Sequence, residues 1–189
     1  HRPEKSCICH LFVSVENTAK LVILQHPKEV NHPKGSAVLL ANSLNNCEVI
    51  VDEDFTDNAQ LKRVIEQYKS RTILLYPGQE AKVLTPTLLN DKPPTELCLI
   101  VIDATWKKAY KMFQLSNNLH LLPLIKLPEG IDGNYVIRST SKENALSTLE
   151  ASCHALSLIE KDNEKYQSLL NSFTQFNQFQ LSFKPQSSV

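Results

Sequence analysis

A chain of 189 residues with 42% hydrophobic and 21% charged side chains fits one globular domain, able to bury a core without disulfide or metal support. Lys+Arg and Asp+Glu balance at 20 each, so net charge does not mark a nucleic-acid binder, and any such role must rest on a local basic patch. Five cysteines, an odd count without framework spacing, argue against a secreted disulfide scaffold.

The first residues lack the apolar region of a signal peptide, and no apolar run approaches the roughly 20 residues that span a bilayer. A cytoplasmic protein with no membrane partner is expected. Cys7-Ile8-Cys9-His10 opens the chain. A strand is predicted over 21–25, ending at His26-Pro27-Lys28-Glu29, because Pro27 disfavours helix in the residue before it. Residues 36–44 carry apolar positions at helical spacing, and Val49-Ile50-Val51 is a short β-branched strand. Asp57 is a candidate cap for a helix through Tyr68, with Leu61, Val64, Ile65 and Tyr68 on one face. Thr72-Ile73-Leu74-Leu75-Tyr76 is a strand that stops at Pro77-Gly78. Leu97-Cys98-Leu99-Ile100-Val101-Ile102 is the strongest strand of all. Neither run alternates with polar residues, as expected of parallel strands covered on both faces.

A helix over 105–115 follows, with Trp106, Ala109, Tyr110 and Phe113 as its predicted apolar stripe and Lys107, Lys108 and Lys111 facing water. Strand-like residues recur at 122–127 and at Tyr135-Val136-Ile137-Arg138. Ser147-Thr148-Leu149-Glu150 has capping-box spacing for a helix to about Glu160, although Asn144 could start it a turn earlier. A last helix is predicted over 166–179. Strands alternating with helices make the class α/β, a mostly parallel sheet flanked by helices, in a single domain over 1–182 with a flexible tail over 183–189.

Ligands of open α/β sheets bind beyond the carboxyl ends of the strands. Two buried strands end in Tyr76-Pro77-Gly78 and in Asp103-Ala104-Thr105-Trp106, which parallel pairing would bring to one edge. Asp103 is either a general base or simply the N-cap of the next helix. Trp106 is either a core anchor, the favoured reading, or a base-stacking ring. Arg138 could pair with a carboxylate or phosphate, or end a strand in solvent. Ser147 and Thr148 could offer a helix N-terminus to an anion, or only cap it. Glu80 and Glu150 are candidate partners for Asp103 in a carboxylate pair. Cys7-x-Cys9 is half of a zinc site, and His26 and His32 read as loop residues.

At this point the residues resemble those of the DTW-domain family, named for Asp-x-Thr-Trp, here Asp103-Ala104-Thr105-Trp106. The landmarks run in the family's order: Arg2-Pro3 with Cys7-x-Cys9, Gln25-His26-Pro27-x-Glu29, Leu74-Leu75-Tyr76-Pro77-Gly78, the Asp-x-Thr-Trp motif, Tyr135-x-Ile137-Arg138 and Ser147-Thr148-Leu149-Glu150-Ala151. The resemblance implies a tRNA-uridine aminocarboxypropyltransferase, which moves the 3-amino-3-carboxypropyl group of S-adenosylmethionine to N3 of a tRNA uridine and leaves methylthioadenosine. It also implies a fold akin to the knotted SPOUT methyltransferases, with a C-terminal trefoil knot. On that reading Asp103, Thr105 and Trp106 are catalytic. Leu75, Tyr76, Pro77, Gly78, Arg138, Ser147, Thr148 and Glu150 line the cofactor site, and Lys107, Lys108 and Lys111 hold the tRNA. Cys7 and Cys9 belong to a zinc site whose other cysteine pair the family carries just upstream, so residues 1–10 read as the remnant of a zinc-binding segment. A monomer is the favoured state. The rival readings are a SPOUT-type RNA methyltransferase using S-adenosylmethionine and a non-catalytic RNA-binding module.

Overall fold

The computed structural model describes residues 6–89, 91, 93–131 and 146–183. Among these residues six parallel strands form one sheet in the order β2-β1-β5-β3-β6-β4. They are β1 (Lys20–Gln25), β2 (Cys47–Val51), β3 (Thr72–Leu75), β4 (Lys82–Val83), β5 (Cys98–Asp103) and β6 (Leu124–Lys126). The helices are α1 (Ala37–Ser43), α2 (Ala59–Tyr68), α3 (Trp106–Leu115), α4 (Thr148–Glu160) and α5 (Gln167–Ser182). The edge strand β4, two residues long, is absent from the sequence reading, since a two-residue strand carries no periodicity of its own.

The strands β1 and β5 are adjacent and interior to the sheet and sort their side chains by parity. Leu21, Ile23, Leu99 and Val101 point into one core with α1, α4, α5 and the N-terminal residues Ile8 and Leu11. Val22, Leu24, Cys98 and Ile100 point into the other with Leu61 and Val64 of α2 and Met112 and Phe113 of α3. Burial on both faces explains why these strands read as unbroken apolar runs. Cys98 and Cys153 are buried apolar residues, as their sequence surroundings suggest.

Two helix details differ from expectation. Asn58, not Asp57, caps α2: its side chain accepts the Leu61 N–H at 3.0 Å, while Asp57 pairs with Lys62 at 2.8 Å. The cap must sit one residue before the first helical turn, and that turn begins at Ala59. In α3 the buried face is Ala109, Met112 and Phe113; Trp106 and Tyr110 are 49% and 61% exposed. Trp106 is therefore not the core anchor of its helix. Met112 and the fully buried Ser116 define a competing stripe, rotated from the one that starts at Trp106.

By contrast α4 starts at Thr148 with Ser147 as N-cap. Ser147 Oγ accepts the Glu150 N–H at 3.1 Å and Glu150 accepts the Ser147 N–H at 2.8 Å, a complete capping box. The strand expected at Tyr135–Arg138, Asn144, the chain passage on which a knot would depend, and the tail 184–189 lie outside the described residues, as do His1, Arg2 and Pro3. No helix among the described residues is long and apolar enough to cross a membrane.

Candidate active site

In the β1–β5 register Leu24 faces Ile102 and Gln25 faces Asp103, so both strands end together. Parity then aims the side chains of Gln25 and Asp103 toward the α4 layer. There Gln25 Nε2 donates to Asp103 Oδ2 at 2.9 Å, and Thr148 Oγ1, from the first turn of α4, donates to Oδ1 at 2.7 Å. The carboxylate is only 7% exposed and is held by two strands and a helix N-terminus at once. It does not cap α3: Thr105 is that N-cap residue, exposed and without a side-chain cap bond, while its carbonyl accepts the Ala109 N–H at 2.8 Å. The capping role weighed for Asp103 is thus excluded, because the side chain turns across the sheet instead of back onto its own helix.

Among the described residues each Asp103 oxygen takes one hydrogen bond, whereas a carboxylate offers about four acceptor positions. Acceptor capacity is left over at a site already aligned by neutral donors. Glu150 closes the capping box as the third residue of α4, its Oε2 accepting the Ser147 N–H, and among the described residues the hydrogen bonds to Asp103 come from Gln25 and Thr148. Glu80 is exposed and no hydrogen bond or ion pair with a described residue joins it to Asp103. Gln25 escaped sequence reasoning as a site residue. Its signal was present in Gln25-His26-Pro27, but a glutamine ending a strand gains meaning only once its register partner is known.

Strand β3 ends on the same sheet edge, since Leu75 pairs with Val101. Leu75 packs on the α4-side core and Tyr76 on the other side. The Tyr76 ring stacks on Phe113 at 4.4 Å and 14°. Burial raises the Tyr76 phenol above its ordinary value, helped by nearby Tyr110. Among the described residues an added Cβ at Gly78 would meet only Leu124 Cδ1, at 3.4 Å, an ordinary contact, so packing against them does not demand glycine there.

The lysines of α3 are not uniformly open to solvent. Lys108 pairs at 2.7 Å with Glu29, whose side chain is 3% exposed, and Lys111 pairs at 3.0 Å with Glu53. Lys107 is exposed and makes no ion pair with a described residue. Buried His26 joins this lattice: its Nδ1 accepts the Lys28 N–H at 3.0 Å, so in neutral imidazole Nε2 carries the proton toward Glu53 at 3.2 Å. A hydrogen bond from Lys111, then that from His26, holds the Glu53 carboxyl below the ordinary range. His26 is thus an ordered bridge rather than a plain loop residue.

At the start of the chain, a hydrogen bond with the Cys7 side chain raises the Cys9 thiol above its ordinary value. The segment is fastened to α5, where Ser172 Oγ donates to the Leu11 carbonyl and Phe179 meets His10 edge-on at 5.8 Å. No group of three or more metal-ligating side chains occurs among the described residues. Arg138 lies outside them.

Among the described residues, a fully parallel sheet clad by helices on both faces defines an α/β fold, and the aligned carboxylate where β5 meets the α4 N-terminus lies at the carboxyl edge, where folds of this class place their ligands. The model of one family, the DTW domain, matches residues 1–181, and the chain belongs to that family. The chain is similar to tRNA-uridine aminocarboxypropyltransferase 2 of Macaca fascicularis, 33% identical over 184 residues, or 95% of this chain and 61% of the relative. The Mus musculus protein of the same name has the same identity and coverage. That of Drosophila melanogaster is 31% identical over 169 residues, covering 87% of this chain and 65% of the relative. The chain thus spans 61% of the length of the first two relatives.

Proposed function

We propose that the chain is the catalytic domain of a tRNA-uridine aminocarboxypropyltransferase, with Asp103 as the base, or the orienting acceptor, for uridine N3. The observation that carries this reading is the half-saturated, buried Asp103 carboxylate at the sheet edge of a DTW domain. The 33%-identical relatives named for that activity support it.

Uridine N3 bears a proton at neutral pH and is a poor nucleophile until it is lost. A carboxylate with spare acceptor positions can take that hydrogen bond and then the proton, while Gln25 and Thr148 hold its plane fixed. S-adenosylmethionine supplies the transferable group on a sulfonium: N3 bonds to Cγ of the aminocarboxypropyl arm, the Cγ–S bond breaks, and neutral methylthioadenosine departs. Everything else is positioning. The site's features fit this co-substrate. The edge beyond β3 and β5 is open at Pro77 and Gly78, and Gly78 leaves free the space that a Cβ would take. Leu75 and Tyr76 form the apolar side of that edge, and Ser147, Thr148 and Glu150 present an ordered helix N-terminus. Arg138 is the candidate for the arm's carboxylate.

Thr105 and Trp106 follow Asp103 directly in the chain and are exposed, which makes them candidates to meet the substrate RNA. Lys107 is the lysine best placed for a phosphate, with Lys108 and Lys111 tempered by Glu29 and Glu53. Cys7 and Cys9 fit one half of a zinc site in that their side chains meet, a geometry that suits two thiolates on one ion, and the remaining ligands must come from outside the described residues. That zinc would brace the N-terminal segment against α5, far in sequence from the transfer chemistry. We place the protein in the cytoplasm as a monomer, a single domain over 1–182 with a SPOUT-like knot.

Incubation with unmodified tRNA and S-adenosylmethionine tests the reading through the thioether released. Methylthioadenosine, with an acid-stable mass increment on the tRNA equal to an aminocarboxypropyl group, is expected. Adenosylhomocysteine would instead make the chain a methyltransferase, and tRNA binding without either product would make it a binding module.

A further inference from the structure

The exposed side of α3 poses a question that the transfer chemistry does not answer. Trp106 and Tyr110 are 49% and 61% exposed, although burying large aromatic rings is strongly favourable. Four residues apart on a helix, they project from one face, one turn from each other. The helix carries Lys107, Lys108 and Lys111 and no acidic residue. Lys108 pairs with Glu29 and the exposed Lys111 with Glu53, whereas Lys107, also exposed, makes no ion pair with a described residue. The face starts three residues after Asp103. It borders the end of β3, where Tyr110 is close enough to Tyr76 to add to burial in raising that phenol.

We infer that Trp106 and Tyr110 form a two-ring platform on which unpaired RNA bases next to the reacting nucleotide stack, with Lys107 on the intervening phosphate. The inference rests on the reading of the chain as a tRNA-modifying domain and assigns it a recognition mode that the lysines alone do not supply. Flat rings in a helix of purely positive charge match single-stranded RNA, which offers a π-face on every base and a negative charge at every linkage. A second copy of the chain fits poorly, because a two-fold contact through this face would set the same lysines against each other. Stacking has no demand for base identity, so the platform would hold the strand while the Asp103 pocket selects the uridine.

Trp106 is the single tryptophan of the chain, so its emission reports on this surface alone. The protein is titrated with single-stranded oligouridylate and with unmodified tRNA, and affinity is measured in parallel by filter binding. Saturable quenching of the emission is expected, with Tyr110→Ala and Trp106→Ala each weakening binding about tenfold and Trp106→Phe restoring most of it. Both side chains are exposed, and unchanged thermal unfolding checks that the variants are folded. Binding without a change in emission, or wild-type affinity in both alanine variants, would overturn the inference. Quenching that follows protein concentration alone, with a shift in sedimentation, would overturn it in favour of self-association. Ring-dependent binding without aminocarboxypropyl transfer would leave the platform standing and remove the proposed reaction instead.

Discussion

Two buried carboxylates sit at opposite edges of the sheet and are treated in opposite ways. Glu160, at the end of α4, has a side chain 3% exposed; its Oε1 accepts the N–H groups of Thr18 and Ala19 at 2.7 and 2.9 Å, and its Oε2 pairs with Lys165 at 2.6 Å. It takes three hydrogen bonds, one of them from a cation that neutralises it, and it ties α4 to the chain entering β1. Asp103, at the far end of the same layer, has one neutral donor on each oxygen and no ion pair with a described residue. The carboxylate that ties elements together has three partners, one of them charged, whereas Asp103 has two neutral donors among the described residues, as the proposed role at a substrate requires. Burial alone does not separate the two; the count and charge of their partners does.

The comparison breaks most sharply at Asp103. Asp103→Asn keeps size and most hydrogen bonding but removes the base, and transfer should fall by about 10²–10⁴-fold with unfolding temperature nearly unchanged. Full turnover in that variant would falsify the catalytic half of the contrast. Glu160→Ala should do the reverse. It strands two backbone donors and a partly buried ammonium, costing about 3 kcal/mol in chemical denaturation, while the folded fraction retains its turnover per molecule.

Smaller changes sharpen the picture. Gln25→Leu leaves Asp103 held only by Thr148, and kcat should drop about tenfold while KM for S-adenosylmethionine holds, since alignment and not cofactor contact is lost. A change in KM alone would move Gln25 from positioning to binding. Gly78→Ala should leave stability within about 0.5 kcal/mol, because its Cβ meets an ordinary contact, yet weaken cofactor binding several-fold in calorimetry. The smallest effect belongs to Glu53. Its carboxyl is held below the ordinary range by Lys111 and then His26, so the pairing is complete above that range. It should be lost only as pH falls through the lowered folded value, which a carboxyl NMR titration would show.

Much of this was legible in the chain. The apolar runs at 72–76 and 97–102 announced strands covered on both faces, and of the two starts that the sequence offered for α4, Ser147 and Asn144, the capping box of Ser147 with Glu150 is the one the structure shows. Both are local: a strand's burial and a helix's cap are written in residues within a few positions of one another. The stripe of α3 was misread for the same reason. Two rotations of one helix were almost equally apolar, and only the packing of Met112 and Phe113 under the sheet chose between them.

What the sequence determined by itself was therefore the class of fold and the place of Asp103 at the end of the most apolar strand. What the tertiary structure decided was the state of that carboxylate. Gln25 and Thr148 lie 78 and 45 residues away, and nothing short of strand register and helix docking could bring them to its two oxygens. Partners so distant are chosen by the sheet, because pairing β1 beside β5 fixes which side chains end together, whatever the local sequence prefers.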